Sequence, residues 1–233
     1  MKTATIGVLM LKTRFPRIPG DVGNAATWSF PVKFRTVEPA TPQSVVTDGL
    51  RDARLLPAFL EAARAMVEEG VDGLTTSCGF LAPYQDELSR AAGVPVAASS
   101  LMQVPLVERL LPAGRRVGIL TVSRESLTAR HLEAAGARPD TPVQGTEGGT
   151  ELSRVLLGDM PELDPAAAER DMLEACRSLL ARHPEVGGLV LECANMAPYG
   201  AALHAAFGLP VYDIVSFVTW FHHGLEPRQF PRP

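Results

Sequence analysis

The chain reads as an α/β protein of two pseudo-symmetric lobes, each a mostly parallel sheet flanked by helices, with an active-site cleft between them. Three observations point there. Short aliphatic runs alternate with longer Ala/Leu/Glu-rich segments, the pattern of parallel sheets connected by helices. One segment, GLTTSCGFLAPYQDELSRAAGVPV at residues 73–96, returns as GLVLECANMAPYGAALHAAFGLPV at 188–211, with eleven of its twenty-four positions identical. A weaker echo links Ile6-Gly7-Val8-Leu9 to Val117-Gly118-Ile119-Leu120.

The elements follow in order. Ile6–Leu11 is a continuous apolar run and predicts a buried strand. Lys12 to about Asp48 is rich in Pro and Gly and reads as a long irregular segment, a length that often carries function. Leu50 to Glu69 repeats apolar residues at helical spacing, and Gly70 supplies its stop. Strands are expected at 71–76, 94–98, 116–122, 188–192 and 210–213. Helices are expected at 82–92, 101–111, 126–135, 149–157, 165–182, 198–207 and 215–222.

Composition excludes several classes of function. The 233 residues are 46% hydrophobic and 21% charged, enough for a sizeable core. Net charge is −4, so no broad basic face is available for nucleic acid or an anionic membrane. The first apolar run is too short to span a bilayer and lacks a cleavage site, which argues against a secretion signal. Three cysteines without a CxxC pair argue against a disulfide framework or zinc site and favour the cytoplasm. The five histidines show no metal-ligand spacing, and Gly145–Gly149 lacks the Lys-Ser/Thr of a phosphate loop.

Chemistry concentrates at the repeat. Cys78 and Cys193 occupy equivalent positions just after a strand and just before a helix, where parallel sheets open their ligand crevice. A helix N-terminus there would lower a thiol pKa. Two such thiols facing across one cleft would remove a proton from one face of a carbon and return one to the other. Cys176, inside a helical stretch, reads as core. Asp21, Gly23 and Asn24 in the long loop, Thr76 and Ser77 before the first thiol, Gly79 after it, and Asn195 after the second are candidate substrate contacts. Thr121 and Ser123 at a strand end complete that set; Ser123 also suits a helix cap. Glu192, beside Cys193, reads as a group that orients the thiol or raises its pKa, or as a strand-end ion pair.

The Thr-Ser-Cys-Gly and Glu-Cys-Ala-Asn turns, the duplicated halves and the chain length resemble the aspartate/glutamate/hydantoin racemase superfamily. The resemblance implies two interleaved lobes, 1–100 plus 212–233 and 101–211, with the C-terminal strand and helix returning to the first. It also implies homodimers and cofactor-independent, metal-free racemisation by Cys78 and Cys193. Amino-acid racemases of this group carry Cys-Asn-Thr and Cys-Thr-His where this chain has Cys78-Gly79-Phe80 and Cys193-Ala194-Asn195. The expected activity is therefore that of an isomerase, a racemase or epimerase acting α to a carboxylate or carbonyl in an amino acid, hydantoin or related small acid. The alternatives are a decarboxylase or cis–trans isomerase of the arylmalonate decarboxylase or maleate isomerase type, and a non-catalytic small-acid binding protein.

Overall fold

A computed structural model describes residues 3–47, 50 and 52–230. Asp48, where the irregular segment was expected to end, and the chain termini lie outside them. Two four-stranded parallel sheets form the frame, and both have the same strand order. In the first, β1 (Ile6–Leu11) lies between β2 (Val32–Val37) and β3 (Gly73–Thr76), with β4 (Val96–Ala97) beyond β3. In the second, β5 (Arg116–Thr121) lies between β6 (Val143–Gly145) and β7 (Val186–Leu191), with β8 (Val211–Tyr212) beyond β7. The repeat thus encodes β3 and β4 in one lobe and β7 and β8 in the other. The echo encodes the central strands β1 and β5.

Each central strand is buried on both faces, which is why it reads as an unbroken apolar run. The helices cover those faces. After α1 (Pro42–Val45), α2 (Leu55–Glu68) buries Leu55, Phe59, Ala62, Ala63 and Met66 along one stripe. The repeat helices α3 (Gln85–Ala92) and α8 (Gly200–Phe207) both end at a glycine in the left-handed region, Gly93 at φ 68° and Gly208 at φ 67°. That shared stop aims both following strands back into their sheets. The others are α4 (Val104–Leu110), α5 (Ala129–Ala134), α6 (Leu152–Gly158), α7 (Pro165–Arg182) and α9 (Ile214–Leu225). Helix α7 starts on Pro165 with Asp164 accepting from Ala166 N and Ala167 N, and it buries Cys176 in the core as expected.

The lobes exchange elements. The segment after β4 crosses to the second lobe, where Ser100 Oγ lies 2.7 Å from Leu191 O, and α4 packs on β5. In the reciprocal crossing α9 packs on β3 and β4, and the buried His222 ring lies 3.0 Å from Ala4 O and stacks on Phe30. The C-terminal strand does not make that crossing. β8 stays hydrogen-bonded to β7, and only the helix returns.

Two strands were not expected. β2 lies inside the segment read as irregular; it is an edge strand carrying Lys33 and Arg35, charges that mask its signal and protect its free edge. β6 is three residues long, too short to show a period. The helices expected at 82–92, 101–111 and 198–207 each begin as a 3-10 turn, at Gly79–Tyr84, Ser100–Gln103 and Ala197–Tyr199. Among the described residues, no helix is long and apolar enough to cross a membrane.

Candidate active site

Both sheets deliver their repeat turn to the same place. Ser77 N donates to Leu9 O at 3.0 Å, extending the β1–β3 pairing by one residue; Glu192 N donates to Leu120 O at 2.8 Å and does the same for β5–β7. Cys78 and Cys193 follow directly, and both line one cavity with Leu11, Phe15, Arg17, Ser77, Phe80 and Asn195. Pro42, Val46, Val122, Leu156 and Leu157 complete its wall. Its volume is about 20 Å³, room for roughly one water. The facing loops are stitched across that wall by Gln43 Nε2 donating to Leu157 O at 2.7 Å and by Arg14 paired with Asp159 at 3.2 Å.

The thiols differ in their surroundings. Burial is the main cause that pushes Cys78 up from the ordinary thiol range, and the nearby Glu192 adds to it; the Arg17 guanidinium works the other way. Cys193 is also pushed up by burial, then by Glu192 and Cys78, with a smaller push from Asp21. Backbone N–H groups of the turns, at Phe80 beside Cys78 and at Asn195 beside Cys193, lower each thiol as expected, but burial outweighs them. Cys193 Sγ donates to Asn195 Oδ1 at 3.4 Å, while Asn195 Nδ2 donates to Asp21 Oδ2. Asp21 Oδ1 in turn accepts from Arg17 Nη1 at 2.9 Å and Gly23 N at 2.7 Å. The first-lobe loop is thereby tied to the second-lobe thiol, and Arg17 lies over the Phe15 ring at 5.0 Å.

Glu192 is a third ionisable group at this junction. Its side chain is buried; Thr121 Oγ1 donates to Oε2 at 2.7 Å, and Oε1 has no hydrogen-bond partner. Burial pushes its carboxyl up to about 8, against the lowering effect of the Thr121 bond. It occupies the notch left by Gly79, where an added Cβ would lie 2.3 Å from both Glu192 O and Oε1. A glycine is therefore required at the first turn so that the second can dock against it.

The remaining sequence candidates divide. Ser77 and Asn195 line the cavity. Thr76 Oγ1 donates to Ala98 O at 2.6 Å and accepts from Cys78 N at 3.3 Å, so it braces the turn; Thr121 is engaged by Glu192. Asn24 points into its own loop, donating to Arg17 O at 2.8 Å and accepting from Ala26 N at 2.8 Å. Ser123 accepts from Ser126 N at 3.3 Å and holds a turn; the cap of α5 is Thr128, not Ser123 as the sequence suggested. Neither Asn24 nor Ser123 lines the cavity. The polar group the sequence reading passed over is Arg17. A cation four residues before Asp21 in a long loop was the available signal.

No family model matches the chain. Among solved structures, a cysteine-substituted arylmalonate decarboxylase superposes with a TM-score of 0.65 at 20% identity, covering 98% of this chain and 96% of that one. Allantoin racemase from Klebsiella pneumoniae superposes with a TM-score of 0.65 at 20% identity, covering 95% and 87%. The chain shares the two-lobed α/β fold of these proteins, as the resemblance implied. Its curated relatives carry a different activity from the one expected. A protein from Durusdinium sp. clade D, named dimethylsulfoniopropionate lyase, is 26% identical over 98% of this chain and 78% of its own length. Dimethylsulfoniopropionate lyase 5 from Emiliania huxleyi (strain CCMP1516) is 28% identical over 94% of this chain and 45% of its own length, so the chain spans under half of that relative. These names correct the expectation of a racemase and of an isomerase: the relatives are lyases. The physical reason the sequence misled is that proton removal next to a carboxylate begins both reactions. Twin thiols do not fix what the resulting carbanion does next.

Proposed function

We propose that the protein is a lyase that removes a proton α to a carboxylate and expels a group from the adjacent carbon, with a sulfonium carboxylate of the dimethylsulfoniopropionate kind as substrate. The observation that carries this reading is the cavity holding both thiols beside a partly buried cation, Arg17, in a chain whose relatives bear lyase names.

The asymmetry of the thiols assigns their roles. Burial and Glu192 push both thiols up, but at Cys78 the Arg17 guanidinium partly opposes that push, whereas Cys193 donates to Asn195 and faces the charge of Asp21. Cys78 is then the base. Arg17 anchors the substrate carboxylate and stabilises the negative charge that builds next to it as the proton leaves. The Cys78 thiolate takes the α proton, the C–H electron pair becomes the new C=C bond, and the bond from the β carbon to sulfur breaks. Its electron pair departs on a neutral dialkyl sulfide, leaving an unsaturated carboxylate; with dimethylsulfoniopropionate the products are dimethyl sulfide and acrylate. Ser77 and Asn195 are the hydroxyl and amide that line the site, and the apolar walls keep water from the carbanion. The homodimer implied by the superfamily resemblance belongs to this reading, with light scattering as its check.

The test is incubation with dimethylsulfoniopropionate, following dimethyl sulfide in the headspace and acrylate by proton NMR. Cys78→Ala is expected to lose at least about a thousandfold in kcat, and Cys193→Ala distinctly less. Absence of sulfide release, or full activity in Cys78→Ala, overturns the reading.

A further inference from the structure

The mechanism above leaves one buried ionisable group unused. Glu192 lies where the two repeat turns meet, in the notch that Gly79 leaves open, with one oxygen bonded to Thr121 and the other bonded to nothing. No cation is paired with it among the described residues. The groups that face this cluster are few. Cys193 is on its own turn and Cys78 on the turn after β3; Arg17 and Asp21 come from the loop after β1. β5 contributes only the Thr121 hydroxyl, the segment after β4 only that of Ser100, and His131 of α5 sits behind Phe80. Arg17, paired with Asp21, is the positive charge that faces Cys78.

We propose that Glu192 is a positioning residue that governs thiolate formation at Cys78 by keeping its own proton: the cluster accommodates one negative charge, and ionisation of Glu192 takes that place. Two anions in so dry a space repel strongly, and the groups titrate as a set. The carboxyl's elevation to about 8 sets the pH at which the competition begins. Below it, Glu192 is neutral and the thiolate fraction at Cys78 rises tenfold per pH unit. Above it, the first proton lost from the cluster is that of the carboxyl, and the thiolate fraction levels off.

This inference deepens the lyase reading, which makes Cys78 the base, but it can be read without turnover. The measurement is the rate of iodoacetamide alkylation at Cys78, resolved by peptide mass, from pH 6 to 10 in the full chain. In the wild type the rate levels off near pH 8. In Glu192→Gln, neutral and nearly isosteric, it keeps climbing and exceeds the wild type by about tenfold at pH 9. Parallel profiles in the two proteins overturn the proposal. So does a folded Glu192→Gln that is unreactive at every pH, which would make the carboxylate itself the proton acceptor. Thermal melting establishes that the variant folds. If it does not, Thr121→Val is used: it removes the donor that favours the Glu192 anion, so the levelling point must move to higher pH, and an unmoved point overturns the proposal. Absent sulfide release with the expected alkylation profiles refutes the lyase reading alone, and sulfide release with parallel profiles refutes this one alone.

Discussion

Replacing Gly79 by alanine tests the close docking of the two turns on which the site depends. The added Cβ would sit 2.3 Å from Glu192 O and Oε1, where ordinary contact begins at 3.4 Å, so the turns must separate by about an ångström. The carboxyl can rotate; the backbone carbonyl cannot. Overpacking of this kind costs about 1–3 kcal/mol. For a chain of this length each kcal/mol lowers Tm by about 2–4 °C, so a drop of roughly 2–12 °C is expected in a thermal scan. Activity should fall further than stability, by about a hundredfold, because an ångström of misplacement disturbs the thiols on both turns. Gly148→Ala is the control: nothing lies within 4 Å of its Cβ, and its effect should stay within about 0.5 kcal/mol. A Gly79→Ala protein with wild-type Tm and turnover would refute the claim that the turns are locked together.

Arg17→Lys keeps the charge but loses the planar fork, and KM for the carboxylate substrate should rise about tenfold with kcat little changed; an unchanged KM removes Arg17 as the anchor. Asp171 accepts from the backbone N–H groups of Thr150 (3.0 Å), Glu151 (2.7 Å) and Leu152 (2.8 Å), holding the start of α6, which carries the wall residues Leu156 and Leu157. Asp171→Ala should therefore cost about 1–3 kcal/mol in urea unfolding and raise KM as well. Glu192 keeps its proton in the folded protein up to about 8, whereas the unfolded chain releases it near about 4.3. Native stability should accordingly decline as pH rises through that interval, by on the order of 5 kcal/mol. Urea titrations of Glu192→Gln should lack this decline, and a slope equal to the wild type's would count against a buried acid.

Recognition from sequence worked where signal was local and duplicated. The central strands betrayed themselves as unbroken apolar runs, and the repeat placed Cys78 and Cys193 on equivalent turns. β2 failed because an edge strand needs only one partner and tolerates Lys33 and Arg35 on its rim. Asn24 and Ser123 failed for a different reason. Short polar side chains in loops have backbone groups within reach, and both are spent there instead of on the cavity.

By itself the sequence determined the two-lobed architecture and the twin thiols on equivalent turns, since both are written in residue type and spacing along the chain. Tertiary structure alone decided that the thiols are unlike. Arg17 and Asp21 come from a loop more than fifty residues before Cys78, and Glu192 meets Gly79 only because the lobes close on one another. Charge and burial act through space, so how hard each sulfur is to ionise is settled by what folding brings beside it.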